Sequence, residues 1–383
     1  MRDEGGRAGR DAHVRGGGEV HEGLQGRVVA LLAQTRRFSL TDRRTIDWFE
    51  WARALGALAV VALHAMRATE LAPGLAAAHP SLFWVEGIVQ IPLARWAVPV
   101  FFMMSGALIL DPGREMPLRK VGRYIWRMAF ILLTVGFAFC LMETVAKNPG
   151  PTGAYALTPP MVGTAFLHLL QGKSWDHLWY LYALMGLYLM TPVLRPFVRD
   201  ASRRELGLAV LLAWVLLALV PAANLVLGVR LYRFVTLDAS VAYYLAGYYA
   251  YNYLELDWRV VAVGLASLAL ACLPNALSLG SLAGVLSLPQ YGVIMPYALL
   301  VFLLLRRALD VPIERHPVVR ALARDSFGIY LIHPLFGHLA IWFLDCQVLY
   351  VPALQVGIFA VGVLGSVVLT RALRLLPGFR DKI

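Results

Sequence analysis

An arginine and a histidine stand in the stretch WARALGALAVVALHAM, residues 51–66, with only apolar or small residues between them. Either side chain is costly in hydrocarbon, and ionisable residues within apolar segments as a rule mark a functional interior. On a helix, the steps from Arg53 to His64 close to within roughly 20° of three full turns. The two side chains therefore share one face, with about 16 Å of helix axis between them. Arginine is a natural partner for phosphate. Histidine, titrating near neutrality, is the usual proton acceptor for a hydroxyl nucleophile. The pair suits a reaction that holds an anionic donor at one end and activates a hydroxyl at the other.

The elements that must position this pair are membrane-spanning helices. Of the 383 residues, 59% are hydrophobic and only 15% charged, far less charge than a soluble domain carries. Segments long and apolar enough to span lie at about 49–68, 87–110, 124–146, 177–196, 206–227, 238–254, 258–276, 290–307, 325–344 and 350–372. The expected fold is all-α, a polytopic transmembrane helical bundle of about ten spans. The segment at 238–254 is short and tyrosine-rich, and LPNALSLGSL (273–282) can fold back into the membrane. Residues 1–45, rich in Gly and Arg, lack a sustained apolar run and are expected to be disordered; their start codon is open to question. Residues 46–375 form the transmembrane domain and 376–383 a cytoplasmic tail. Cys140, Cys272 and Cys346 are too scattered for a disulfide framework or a zinc site.

Charge sets the orientation. With the N-terminus inside, the outward connections hold five basic residues: Arg67, Lys147, Lys173, Arg230 and Arg233. The inward connections after the first span hold nineteen. This positive-inside bias places both termini in the cytoplasm. It also accounts for the net charge of +11 without nucleic acid as a partner.

That orientation sorts the polar residues by depth. Arg53 falls near the cytoplasmic face, level with Arg119, Lys120, Arg123 and Arg127 at the start of the third span. His64 falls in the outer half, at a height similar to that of Arg95, which lies about 22 Å above the inner end of the second span. Two polar layers result: a cationic one inside and a His/Arg one outside. Each residue alone has a plainer reading. Arg53 can be a snorkelling anchor, His64 can bond a neighbouring helix, and Arg119 to Arg127 can simply set topology. Trp175, Asp176 and His177 at an outer mouth can stack on a sugar or belong to an aromatic belt. Glu143 can pair with His64 or Arg95, or face water. Ser105 and Gly106 suit close helix contact.

Four blocks then point to a family. Arg53 and His64 with ten residues between them resemble the R-x10-H signature of the acyltransferase-3 family of integral membrane acyltransferases. VPVFFMMSG (98–106), with Arg95 just before it, is similar to that family's second-span pattern. HLWYLYALMGLYLMTPVL (177–194) and DSFGIYLIHP (325–334) resemble its fourth-span and late aromatic-histidine blocks. In wording they are nearest the branch that includes the enterobacterial common antigen O-acetyltransferase. The resemblance implies an acyl-CoA co-substrate, most often acetyl-CoA, with no bound cofactor, and a hydroxyl acceptor on a lipid-linked or surface glycan. It implies Arg53 and His64 as the essential pair, with Tyr330 and His333 as secondary candidates. Many members open the third span with R-x-x-R; here the basic set is Lys120, Arg123 and Arg127, so the positions of that pair stay open.

The expected activity is an inner-membrane O-acyltransferase in which Arg53, Lys120, Arg123 and Arg127 hold the CoA phosphates. His64 takes the hydroxyl proton, and Arg95 stabilises the oxyanion or orients the acceptor. Glu143 and Trp175 are further candidates at the outer side. No His/Asp/Glu set has the spacing of metal ligands. The competing class is a carrier, a lipid-linked sugar flippase or small-molecule exporter, in which the same charges line a pathway.

The charge bias predicts which connections an impermeant maleimide reaches on intact cells. Among Gly113→Cys, Thr152→Cys and Glu314→Cys, each in an otherwise cysteine-free chain, only Thr152→Cys should label. Labelling of Gly113→Cys with Thr152→Cys protected would invert the orientation.

Overall fold

The computed structural model describes residues 46–70, 72, 74–149, 155–172, 175–227, 238–343 and 350–383. The expected tail over 1–45, along with Lys173, Arg230, Arg233 and Cys346, lies outside them. The described chain is helical throughout, with no strand. We number twelve helices: α1 Asp47–Glu70, α2 Pro80–Ile109, α3 Leu118–Ala146, α4 Pro159–Leu170, α5 Trp179–Asp200 and α6 Arg203–Ala223. There follow α7 Ser240–Tyr253, α8 Trp258–Ala276, α9 Gly280–Ser287, α10 Met295–Ala308, α11 Pro317–Phe343 and α12 Val351–Leu373.

Seven of them, α1, α2, α3, α5, α6, α8 and α12, are long and apolar enough to cross a membrane. The protein is a multi-pass helical membrane bundle. The three other expected spans coincide with α7, α10 and α11. Helices α7 and α10 have 14 residues each, about 21 Å of axis, less than the hydrocarbon thickness of about 30 Å. Helix α7 lies inside the protein, and α10 is buried along one face while leaving Leu304 exposed. In α7 nearly every residue from Ser240 to Tyr251 is buried, and its tyrosines bond internally: Tyr243 to the Pro289 carbonyl at 2.9 Å, Tyr244 to Thr191 at 3.1 Å. A helix enclosed by other helices can carry hydroxyls that lipid would penalise, which is why this segment reads weakly on hydropathy.

Two boundaries differ from expectation. Helix α11 starts at Pro317, ahead of the expected 325, because its first turns (PVVRALAR) are amphipathic and fall below any apolar threshold. Helix α4 occupies a stretch expected to be loop. At 12 residues it is too short to span, and it leaves Val162, Phe166, Leu167 and Leu170 exposed.

Helix α1 is central, packed against α2, α11 and α12. Its buried positions are mostly small: Ala52, Ala54, Gly56, Ala57, Ala59 and Ala65. Small side chains let backbones approach closely, which drives helix association in lipid. Ala57 and Val61 of α1 meet Ile329 of α11 and Val363 of α12 in one apolar cluster. The second half of α2 packs as closely on α7: a Cβ added at Gly106 would strike the Tyr244 carbonyl, and one added at Gly247 the Met103 backbone. Past the end of α2, Arg195 of α5 donates to the carbonyls of Ile109, Asp111 (2.9 Å) and Arg114, satisfying groups the helix leaves open.

Gly247→Ala should therefore force α2 and α7 apart and destabilise the bundle by about 1–3 kcal/mol. Gly163→Ala in α4, where an added Cβ meets nothing within 4 Å, should leave stability unchanged or higher. Thermal unfolding in detergent distinguishes them, and equal midpoints would contradict the close α2–α7 contact.

Candidate active site

At one end of α1, His64 meets two other histidines. Its ring lies 4.8 Å from that of His333 on α11, edge to face, and His333 lies 5.8 Å from His177, just before α5. Each ring is fixed by a backbone carbonyl. His64 Nδ1 lies 2.9 Å from Val60 O, His333 Nδ1 2.9 Å from Ile329 O, and His177 Nε2 3.0 Å from Leu331 O. A carbonyl only accepts, so the ring nitrogen must be the donor in all three. In the neutral form, His64 and His333 then carry their lone pair on Nε2 and His177 on Nδ1. His333 is 2% exposed, and its Nε2 is buried without a hydrogen-bond partner. Although three histidines gather here, no group of three His, Cys, Asp or Glu among the described residues can hold a metal ion.

Tyr330, one turn before His333, is buried and donates its hydroxyl to the His177 carbonyl, which ties α11 to the start of α5. Trp175 has a left-handed φ of 34°, rare for a residue with a side chain. Its ring is stacked on Phe139 at 4.5 Å, and its indole donates to the Phe139 carbonyl at 3.0 Å. His338 abuts the same ring at 5.0 Å. Glu143 contacts Lys147 at 2.5 Å and accepts the Trp175 backbone N–H at 3.5 Å. Trp175 and Glu143 thus brace the wall of the histidine cluster.

Arg95 sits where the helical path of α2 turns, between Pro80–Ala94 and Ala97–Ile109. Its charged neighbours are Arg67 and Glu70, beyond His64 on α1, and its Nε is buried without a hydrogen bond. Close by, Gln355 of α12 donates to Thr69 of α1 and to Glu86 of α2, both at 2.8 Å.

The other end of α1 is cationic and phenolic. Arg53 pairs with Glu50 at 2.5 Å. Arg127 lies within electrostatic reach of Arg53, Arg374, Tyr124 and Tyr188. Of the four basic residues expected at the start of α3, Arg127 has Arg53 among its charged neighbours. Lys120 donates to the Glu115 carbonyl at 3.2 Å, and Arg123 is exposed. Tyr180 fills the interval between the two ends: Arg53 is among its charged neighbours, it hydrogen-bonds Ser105, and its ring lies 5.3 Å from Tyr330. Residues 374–383 fold back under the cationic end. There Arg127 Nε donates to Lys382 O at 2.8 Å, and Arg374, which pairs with the buried Asp325, donates to Ile383 O at 3.1 Å.

Reasoning from sequence left several of these residues without a role. Glu86 and Gln355 are lone polar residues within apolar runs, the same signal that marks His64, and could have been found that way. From sequence His177 reads as part of an outer mouth, against a sugar or in an aromatic belt; the fold buries it against His333. Asp325 lies in a block already singled out, yet only the fold shows that it answers Arg371 at 3.0 Å together with Arg374.

Asp325→Ala would strip the partner from both arginines. Because Arg371 is half exposed, the loss should fall at the lower end of roughly 3–5 kcal/mol. Limited proteolysis should then cut residues 374–383 faster. Unchanged cleavage would mean that the segment is held by other contacts.

Beyond the geometry there is the comparison with known sequences. The sequence model of the acyltransferase-3 family, described as an acyltransferase domain, matches residues 46–371. No curated protein and no solved structure matches the chain.

Proposed function

The chain belongs to the acyltransferase-3 family, and from that premise we propose that it moves an acyl group, acetyl being the simplest, from cytoplasmic acyl-CoA to a hydroxyl of a lipid-linked or cell-surface glycan, in an inner membrane. The observation that carries this reading is the meeting of His64 and His333 from α1 and α11, each with Nδ1 committed to a carbonyl, which puts the lone pair of the neutral ring on Nε2. The cationic group of Arg53 and Arg127 lies at the opposite end of α1. Membership gives the reaction class, and the arrangement supports this division of labour.

In this reading Arg53, Arg127 and the exposed Arg123, with Lys120 at the rim, hold the CoA phosphates on the cytoplasmic side. The pantetheine arm runs along the face of α1 past Tyr180 and brings the thioester to His64. His64 Nε2 takes the acceptor's proton as the hydroxyl oxygen attacks the thioester carbon. The carbon–sulfur bond then breaks, and the imidazolium returns the proton to the departing thiolate, giving an ester and free CoA. The buried lone pair of His333 Nε2 stabilises that imidazolium. Arg95, with an unused buried donor, orients the acceptor or faces the oxyanion. Tyr330 holds His177, and through it the start of α5, in register with His333.

The two ends should fail differently. Arg53→Ala removes a charge-assisted contact of roughly 1.5–3 kcal/mol, raising KM for acyl-CoA and leaving activity partly rescued by excess donor. His64→Ala removes a general base contributing about 10²–10⁴-fold, so kcat collapses while acyl-CoA still binds. His64→Gln keeps size and some hydrogen bonding but cannot take up the proton, and should be nearly as inactive. Substantial turnover by His64→Gln would demote His64 to packing and shift attention to His333.

A further inference from the structure

A groove of about 500 Å³ lies beside α5, away from the histidines, bounded by the end of α4, the start of α7 and the turn that carries Gln290. Small-molecule sites typically enclose about 300–1,000 Å³. Trp179, Tyr182, Ala183, Gly186, Leu187 and Met190 recur at helical spacing and form one stripe of α5, about 16 Å long. The groove is amphipathic. The rings of Trp179 and Tyr182 stand toward the α5 N-terminal end and Met190 toward the other, and Gln171, Asp238 and Gln290 add polar groups from neighbouring elements.

Two independent features mark it as built to be filled. Gln290 Oε1 is buried without a hydrogen-bond partner, a costly state that a ligand hydroxyl would relieve. Gly186 sits in mid-helix, where glycine is less favourable than alanine, yet an added Cβ would meet nothing within 4 Å. The glycines at 106 and 247 are required by a neighbouring backbone; Gly186 is required by no neighbour and leaves the groove open. Among the described residues no lysine or arginine lines the space. Flat rings with neutral amides and one carboxylate suit the faces and hydroxyls of a sugar. At the Met190 end, Leu189 and Val193 are exposed on the same helix, so a hydrocarbon chain can pass from the groove to the bilayer.

We propose that this groove binds a glycosyl lipid, with a neutral sugar against Trp179, Tyr182 and Gln290 and the chain along Gly186 and Met190. Resting on the acyltransferase reading, the inference makes the acceptor lipid-linked. His177, just before α5, and Trp179, two residues on, face opposite sides of the helix axis, so the sugar held here lies about one helix width, roughly 10 Å, from His177. It is a neighbour of the sugar that is acylated, and recognising it would select the acceptor.

The test is photo-cross-linking of the full chain in detergent with an alkyl glucoside bearing a diazirine on its chain, followed by peptide mapping. Label should concentrate in α5 between Trp179 and Met190 and at the start of α7. Excess alkyl glucoside should compete with it, whereas methyl glucoside (no chain) and the matching alkyl alcohol (no sugar) should compete far less. Gly186→Leu, which removes an unfavourable helix residue, should fold as stably as the parent and lose label by roughly tenfold. Gln290→Leu should erase the preference for glucoside over alcohol. Label spread over the lipid-facing surface and indifferent to Gly186→Leu would overturn the proposal, as would equal competition by the alcohol, which would make the groove a seat for bilayer lipid. Cross-linking needs no acyl transfer, so His64→Ala should label normally. A labelled groove in a chain that transfers no acyl group would sink the enzymatic reading and leave this one standing.

Discussion

The closeness with which α1 and α11 approach is the constraint from which the rest follows. His64 and His333 are far apart in sequence, and their rings meet at 4.8 Å because alanine and glycine fill the buried side of α1. A larger residue at Ala57 or Val61 would push against Ile329 and Val363 and carry the two imidazoles apart. In lipid no hydrophobic force gathers helices, so packing of small residues has to set this distance. The histidine cluster is thus a consequence of how the backbones fit, and its geometry depends on side chains that have no chemistry of their own.

A second rule operates within that frame: polar groups inside the bundle are answered by the bundle. The three histidines each spend one nitrogen on a carbonyl, the tyrosines of α7 bond to Pro289 and Thr191, and Arg195 gathers the carbonyls after α2. Against this background six unanswered side-chain atoms stand out among the described residues; besides Glu86 Oε2, Ser366 Oγ and Thr370 Oγ1 there are three more. His333 Nε2 faces the histidine cluster, Arg95 Nε lies beyond His64, and Gln290 Oε1 lines the groove beside α5. Leaving such groups bare costs stability, and these last three border spaces where a substrate is proposed to sit.

How much of this was legible beforehand depended on range. The helical character, the Arg53–His64 face and the long apolar helices follow from composition and local spacing. Which residues from other helices would complete that face did not, because contact between α1 and α11 has no local signature. Tyr330 and His333 were reached only through resemblance to a family. The short buried helix α7 reads weakly because hydropathy measures fitness for lipid and its tyrosines touch little of it. Arg127 could not be separated from Lys120 and Arg123 by spacing, since all three lie on one flank of α3; the fold separates them by placing Arg127 within electrostatic reach of Arg53. Glu86 and Gln355 were visible as isolated polar residues and passed over because neither fell in a motif.

The central claim is that donor and acceptor meet within the bundle from opposite sides, with CoA held at the Arg53 end and the hydroxyl activated at the His64 end. The most direct measurement uses sealed inside-out membrane vesicles with acceptor glycan enclosed and acyl-labelled acyl-CoA added outside. The account predicts labelled glycan in the lumen, free CoA appearing outside in equal amount, and no CoA within. Entry of intact acyl-CoA, or acylation confined to glycan supplied on the outside, would contradict it.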